Sequence, residues 1–258
     1  MKIKIPSSSG LKLSAVLNQP KQKSSKLAIL MPGFLDSKDY PHLKQLAIDL
    51  ANQDYYVIRF DPMGVWDSQG NISEYSVTQY LKDLMNVIKF SKEKYPVNQI
   101  VLIGHSLGGM IALLYAALNK GDVHTVIGIM PPPSQTRPKG FKKNLEIWKK
   151  NKQKISTRPF PNNSKKERQF IVPYEYIRDS KKYNLLKLIK KIKKPFLLIA
   201  GELDDKVTPA EVKQIFKAAN QPKNLIVLKN VIHDYRFYKT QIKSVNRKII
   251  QFLEKIDI

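Results

Sequence analysis

Ser106 stands in the run GHSLG, with glycines two positions before it and two after. A serine hydroxyl is a weak nucleophile. To attack a carbonyl carbon it needs a base that takes its proton and a carboxylate that orients the base. Glycine weakens a strand unless the backbone must turn sharply or be approached closely. The G-x-S-x-G spacing is that of a nucleophile elbow, a strained strand-to-helix turn that lifts the serine hydroxyl above a sheet. Gly109 leaves further room where the next helix packs down. The pentapeptide also occurs by chance, so the rest of the chain has to supply the base, the acid and the donors for a developing oxyanion.

Four histidines compete for the base. His105 adjoins the nucleophile, and a sharp turn there should aim its side chain elsewhere. His42 falls in a helical pattern and His124 at the start of a strand; each reads as a surface or packing residue. His233 lies in NVIHDYRF, just past the last strand. Sites in parallel sheets form at the carboxyl ends of the strands, and Ser106 and His233 both fall there. The acid should follow a strand too. IAGELDDKVTP offers Glu202, Asp204 and Asp205. Each alone reads more plainly as a solvated loop carboxylate, but the order serine, acid, histidine and the strand-end placement favour a catalytic acid among them, with the two aspartates undecided. The oxyanion donors would be backbone N–H groups: that of Leu107, after the nucleophile, and that of Phe34, in MPGF after an early strand. The plainer reading of PGF is a simple turn.

The elements that would position these residues follow from hydrophobic periodicity. Residues 1–17 alternate around SSSG and suggest an opening hairpin. KLAILMPGF (26–34) and YYVIRFD (55–61) read as buried strands, and Leu43, Leu46, Ala47 and Leu50 mark a helix between them. Ser76 with Gln79 resembles a capping box, opening a helix that carries Tyr80, Leu81, Leu84, Met85, Val87 and Ile88 at helical spacing. QIVLIG (99–104) leads into the elbow, Met110 to Asn119 reads as the helix after it, and VHTVIGIM (123–130) as a further strand. The pattern then degrades: residues 131–184 hold three consecutive prolines, lysine runs and scattered aromatics, among them Phe141, Trp148, Phe160, Phe170, Tyr174 and Tyr176. Order returns with the strand PFLLIAG (195–201). Thr208, Pro209 and Glu211 make a cap, a first-turn proline and a capping-box partner. NLIVLKN is the last strand, and Ile242, Val245, Ile249, Leu253 and Ile256 mark a closing helix. Alternating strands and helices imply a mostly parallel sheet covered on both faces. The irregular segment reads as an insertion over one end of it.

Composition sets bounds on this. At 258 residues the chain can bury a large core, as one α/β domain with an insertion or as two small domains. It has no cysteine, which excludes disulfides and thiolate metal sites. No apolar run reaches the length of a signal-peptide core at the start or of a bilayer span elsewhere, so a cytoplasmic location is expected. The formal charge is +24, and 20 Lys and Arg against 4 Asp and Glu between Arg137 and Lys194 place +16 of it in one segment. Such a segment can attract nucleic acid, anionic lipid or anionic substrate. Lysine outnumbers arginine 38 to 7, so compositional drift is the plainer explanation, and no aromatic-interleaved nucleic-acid motif is present.

Taken together, the motifs resemble serine esterases of the α/β-hydrolase fold, in the branch of the bacterial feruloyl (cinnamoyl) esterases and monoglyceride-lipase-like enzymes, over nearly the whole chain. PGFLDSKD is similar to that branch's HGF-x-x-x-(K/R)-D, RFDPMGVWDSQG to R-F-D-x-x-G-x-G-x-S-x-G, and IGHSLGG carries the nucleophile. GELDDKVTP is similar to G-x-x-D-x-x-V-x-P, which selects Asp204 because the acid stands three after the glycine, and HDYRF fits the histidine loop. Pro32 stands where the branch usually has His, GVWDS is bulkier than G-x-G-x-S, and 131–184 matches no cap of the feruloyl esterases. The resemblance implies an α/β-hydrolase core from 1–130 and 185–258 with an inserted cap at 131–184, and hydrolysis of a small-molecule carboxylic ester through an acyl-enzyme by Ser106, Asp204 and His233. The N–H groups of Phe34 and Leu107 would form the oxyanion hole. It implies no metal and no organic cofactor, no specific nucleic-acid partner and no stable membrane insertion. A serine peptidase, thioesterase or acyltransferase on the same fold is the alternative, and a non-catalytic basic binding protein a more distant one.

Overall fold

The structure is a computed structural model that describes residues 1–119, 121, 123–136 and 142–256. Eight strands form one sheet. In chain order they are β1 (Lys2–Pro6), β2 (Lys12–Asn18), β3 (Lys26–Met31), β4 (Tyr55–Phe60), β5 (Gln99–His105), β6 (Thr125–Ile129) and, after a separate hairpin β7 (Gln153–Phe160) and β8 (Asn163–Pro173), β9 (Phe196–Gly201) and β10 (Lys223–Leu228). The spatial order is β1-β2-β4-β3-β5-β6-β9-β10. The pairs β1/β2 and β2/β4 are antiparallel, and every pair from β4 to β10 is parallel.

Side chains alternate between the two faces of a strand, yet β6 and β9 are buried at every residue, and β3 and β5 at every residue but the first. The sheet is therefore covered on both faces. The covering helices are α1 (Pro41–Ala51), α2 (Val77–Lys94), α3 (Leu107–Leu118), α6 (Leu185–Leu188), α7 (Pro209–Ala218) and α8 (Lys239–Lys255), with α4 (Lys142–Asn151) and α5 (Glu175–Ser180) in the long segment between β6 and β9. Helix α1 packs on β4 and α8, and α2 and α6 each pack on α3. Leu43, Leu46, Ala47 and Leu50 are buried on α1, as their spacing requires. The cap at Thr208 forms a full capping box with Glu211. The one at Ser76 is half of one: its hydroxyl accepts from the Gln79 N–H, but the Gln79 side chain turns to Asp83 instead.

Two expectations need correction. The helix after the elbow begins at Leu107, not Met110; Gly108 and Gly109 are poor helix formers, and only packing against the sheet makes them helical. Residues 131–184 are also less irregular than they read. They contain α4, the β7/β8 hairpin and α5. The hairpin alternates, but its inward face carries Lys154, Arg158 and Arg168 among Phe170 and Val172, so hydrophobicity alone does not trace it. On α4, Trp148 is the one buried residue among the described side chains, which gives no period. The hairpin and α5 pack on the core: the Tyr40 hydroxyl donates to the Pro159 carbonyl at 2.8 Å, and Asp179 accepts from the Thr78 N–H and hydroxyl. The Leu185 N–H donates to the Pro133 carbonyl at 3.3 Å, bringing the two ends of the segment together.

Candidate active site

Strands β3, β5, β9 and β10 run in one direction, so the loops that leave their carboxyl ends meet at one edge. Ser106 sits between β5 and α3 at φ 52°, ψ −119°, a region that costs an L-residue of order 1–3 kcal/mol and persists where the surroundings over-determine it. The surroundings here are backbone. A Cβ at Gly104 would lie 2.2 Å from the Gly108 carbonyl, and one at Gly108 would lie 2.3 Å from the Met31 oxygen. The glycines on either side of Ser106 let the strand end, the helix start and the loop after β3 touch. The Ser106 N–H donates to the Ile129 carbonyl at 2.8 Å, which fixes the turn against β6.

The loop after β10 brings His233 across. Its Nε2 lies 3.0 Å from Ser106 Oγ, and its Nδ1 lies 2.7 Å from Asp204 Oδ2. With the Nδ1–H donating to Asp204, Nε2 is left to accept from the serine hydroxyl. Asp204 is buried, and its other oxygen accepts the N–H groups of Lys206 and Val207 at 2.9 and 2.7 Å. Asp205 is exposed, and Glu202, also exposed, accepts the Asn230 N–H instead. Of the three acids that the sequence offered, the fold thus turns Asp204 to the histidine. The acid and histidine loops are joined, since the Leu203 N–H donates to the Val231 carbonyl and a Cβ at Gly201 would strike that same oxygen at 2.5 Å.

The other histidines do not approach Ser106 with a ring nitrogen. His105 and His42 are fully buried and lie edge to face at 5.4 Å; among the described residues neither ring nitrogen of either one has a hydrogen-bond partner. Burial holds both well below the usual histidine range, helped at His105 by the His233 and His42 rings and at His42 by Arg236. His105 packs on the His233 ring at 4.9 Å and on Tyr235, so buried rings back His233. His124 accepts the Ile100 N–H at the far end of β5.

Phe34 follows Gly33, whose missing Cβ would lie 3.4 Å from Ser106 Cβ. Of the proposed donors, Leu107 follows Ser106 directly and Phe34 follows the glycine that packs on it; among the described residues neither N–H donates to an acceptor. Leu35 is left-handed at φ 57°, and its N–H donates to the Tyr75 hydroxyl at 3.1 Å. The Pro32 carbonyl accepts from the Tyr80 hydroxyl at 3.0 Å, so proline at that position leaves the loop anchored. Behind it, Lys38 is buried with its ammonium 2.8 Å from Asp61 and from Asp67, and 2.9 Å from Asp39. Burial pushes the Asp61 carboxyl up to about 6 against the pull of Lys38.

Sequence reasoning missed several residues of this edge. Trp66, read as mere bulk in GVWDS, donates its indole N–H to the Leu35 carbonyl at 2.8 Å and packs edge-on against Tyr40, Phe160 and Phe170. Arg236, inside HDYRF, donates to Asp36 at 2.6 Å and also pairs with Asp234. Burial would raise the Asp234 carboxyl, but Arg236 and Lys206 outweigh it and hold it at about 2. Arg158 of the hairpin reaches the Phe34 carbonyl. A signal for Arg236 is its position three after the histidine; for Arg158, one arginine in a lysine-rich stretch, there is none. Of the six aromatics named above in residues 131–184, Tyr176 lies on the Phe34 ring at 4.9 Å and stacks between Tyr75 and Trp148, whereas Phe160 and Phe170 pack on Trp66. Tyr174 lies under Arg178, and Phe141 lies outside the described residues.

A family model described as the alpha/beta hydrolase fold matches residues 28–174, more than half of the chain. Among curated proteins, the palmitoyl-protein thioesterase ABHD10, mitochondrial, of Rattus norvegicus is 26% identical over 181 residues, 70% of this chain and 59% of its own length. The chain therefore spans about three fifths of that relative. Among solved structures, the alpha/beta hydrolase GrgF from Penicillium sp. sh18 superposes with a TM-score of 0.82 at 21% identity over 99% of this chain and 98% of its own. Est1E from Butyrivibrio proteoclasticus with ferulic acid bound does so with 0.78 at 22% identity over 99% and 100%. At these identities the two structures attest the fold.

Proposed function

The chain belongs to the alpha/beta hydrolase fold family, and from that premise we propose that it is a serine hydrolase that cleaves carboxylic esters through an acyl-enzyme. One observation carries the reading: a strained serine, a buried histidine and a buried aspartate linked at 3.0 and 2.7 Å at the carboxyl ends of parallel strands. In the proposed reaction His233 takes the Ser106 proton as Oγ attacks the ester carbonyl. The N–H groups of Phe34 and Leu107 hold the oxyanion, each such donor being worth about 100- to 1,000-fold in rate. His233 then gives the proton to the departing alkoxide. A water deprotonated by His233 attacks the acyl-enzyme, and the acid and free serine are released. Asp204 keeps the proton of the neutral imidazole on Nδ1 and stabilises the imidazolium. The reading calls for no metal and no organic cofactor.

The segment 131–184 is proposed as a cap over Ser106, with Tyr176 against Phe34 as the part of it that supports an apolar acyl pocket. Thioester cleavage is the second reading, favoured by the name of the rat relative. A fluorophosphonate probe tests the first claim: wild type should be labelled and Ser106→Ala should not. A panel of p-nitrophenyl esters, acyl thioesters and aminoacyl amides then ranks ester, thioester and peptide chemistry by kcat/KM. Among the described residues no helix is long and apolar enough to cross a membrane. A cytoplasmic location belongs to the proposal; the rat protein is by its name mitochondrial, and fractionation of cells expressing the tagged chain decides.

A further inference from the structure

We propose that Arg158, on the hairpin, is a positioning residue for acyl transfer: it holds the oxyanion loop by its Phe34 carbonyl, so that the inserted segment takes part in setting the geometry of the oxyanion hole. The inference rests on the serine-hydrolase reading above.

Arg158 donates Nε and Nη2 to the Phe34 carbonyl at 3.1 and 2.9 Å, and its Nη1 to the Thr157 carbonyl at 2.7 Å. Two donors from one rigid fork fix a carbonyl in direction as well as distance, which a lysine ammonium does not do. The other end of the same peptide is held as well, because the Leu35 N–H donates to the Tyr75 hydroxyl. The peptide that follows Phe34 is therefore clamped on both sides. The one that precedes it carries the N–H assigned to the oxyanion. Its carbonyl accepts the Asp36 N–H at 3.1 Å, and its orientation depends also on the Phe34 backbone and on Gly33, which sits against Ser106. Leu35 adopts a left-handed backbone in this geometry, so the loop has a strained conformation to relax from when the clamp is removed.

Cross-strand register argues that the arginine is there for the loop. Arg158 lies directly opposite Arg168 in the hairpin, and like charges so placed are destabilising. Each guanidinium turns instead to a core loop: Arg158 to Phe34 and Arg168 to the Trp66 carbonyl at 3.0 Å. Arg158 also approaches Asp36 Oδ1 at 3.3 Å, the oxygen that Arg236 of the histidine loop holds at 2.6 Å. One buried carboxylate thus ties the hairpin, the oxyanion loop and the loop of His233 together.

The test compares wild type, Arg158→Ala and Arg158→Lys in the full chain, with a neutral p-nitrophenyl ester, a boronic acid that mimics the tetrahedral intermediate, and fluorophosphonate labelling. Displacing one oxyanion donor without deleting it should lower kcat about 10- to 100-fold, leave KM within about threefold and weaken the boronic acid in parallel. Arg158→Lys keeps the charge and stem and should lose nearly as much, and it decides the matter where the alanine variant does not fold. Added guanidinium should restore part of kcat to Arg158→Ala and leave wild type unchanged. A wild type that is labelled and active beside variants with unchanged kcat overturns the positioning role alone. A raised KM with unchanged kcat does so too, and makes Arg158 a substrate contact. A wild type that is neither labelled nor active overturns the hydrolase reading and this inference with it.

Discussion

The edge of the sheet at Ser106 and the inserted hairpin stand side by side and are built in different ways. The edge rests on β3, β5, β6 and β9, which are buried almost throughout, and on glycines that let backbone touch backbone. The hairpin has no such burial: most residues of β7 and β8 are at least partly exposed. It is attached by a few directional contacts, the Tyr40 hydroxyl to Pro159, Arg158 to Phe34, Arg168 to Trp66, and by the rings around Trp66. Non-directional burial makes a rigid platform whose residues tolerate little change. A handful of polar contacts makes an attachment whose members can be altered one at a time, so each contact can be tested by itself.

The largest expected effect tests the platform. Ser106→Ala should lower ester turnover by about 10⁴-fold or more with an unchanged circular dichroism spectrum, because Ala adopts the same backbone at the same cost. Appreciable turnover by the purified variant would remove Ser106 from its role. Next, Asp204→Asn should lower kcat by about 10⁴-fold through loss of the correct tautomer, whereas exposed Asp205→Asn should stay within about twofold of wild type on the same ester. Equal losses would assign the acid wrongly.

A third substitution tests the join. Trp66→Ala removes a buried indole, its bond to Leu35 and the rings that seat the hairpin, and should cost about 3–5 kcal/mol in urea unfolding. Protease cleavage should then appear first between residues 153 and 173. Uniform resistance along the chain would mean that the hairpin is held elsewhere.

The core also carries a dependence of stability on pH. Burial raises the carboxyls of Asp61 and Asp83, both on the platform, to about 6. The native state holds those protons more tightly than the unfolded chain does, so their contribution to stability falls as pH rises from about 4 to about 6. Asp83→Asn should flatten that part of the stability curve in thermal melts from pH 4 to 6, and an unchanged slope would place its origin elsewhere. The smallest effect concerns the hairpin's charge. Exposed lysines are screened over roughly 10 Å at moderate salt, so kcat/KM for a neutral ester should change less than about twofold between about 0.05 and 0.5 M salt. A steep fall would put lysines inside the substrate site.

Much of the platform is legible in the residues alone. Runs such as AILM and VLIG read as strands covered on both faces because they are short, rich in branched residues and end at Pro-Gly or Gly, whereas the longer apolar run of α3 is a buried helix. GHSLG and the Thr208 cap carry their geometry in their own residue types, since glycine spacing and capping are local. The hairpin is not legible in this way: its inward face includes Arg158 and Arg168, whose partners are carbonyls of Phe34 and Trp66, 124 and 102 residues away. A backbone carbonyl leaves no mark in the sequence, so neither arginine can be told from its many basic neighbours.

The sequence by itself determined the order of the main elements outside residues 131–184, the elbow at Ser106 and the histidine after the last strand, because each depends on local periodicity, on glycine or on position at a strand end. Residue types alone left Glu202, Asp204 and Asp205 open, and the resemblance of GELDDKVTP to a known pattern favoured Asp204. The physical decision belongs to the tertiary structure, through the N–H groups of Lys206 and Val207 that hold Asp204 inward beneath His233. Tertiary structure likewise turned Trp66, Tyr75, Arg158 and Arg236 into supports of the loops that carry Phe34 and His233. These are contacts between segments far apart in the chain, and their energies depend on directions and distances that arise once the sheet has brought its loops to one edge.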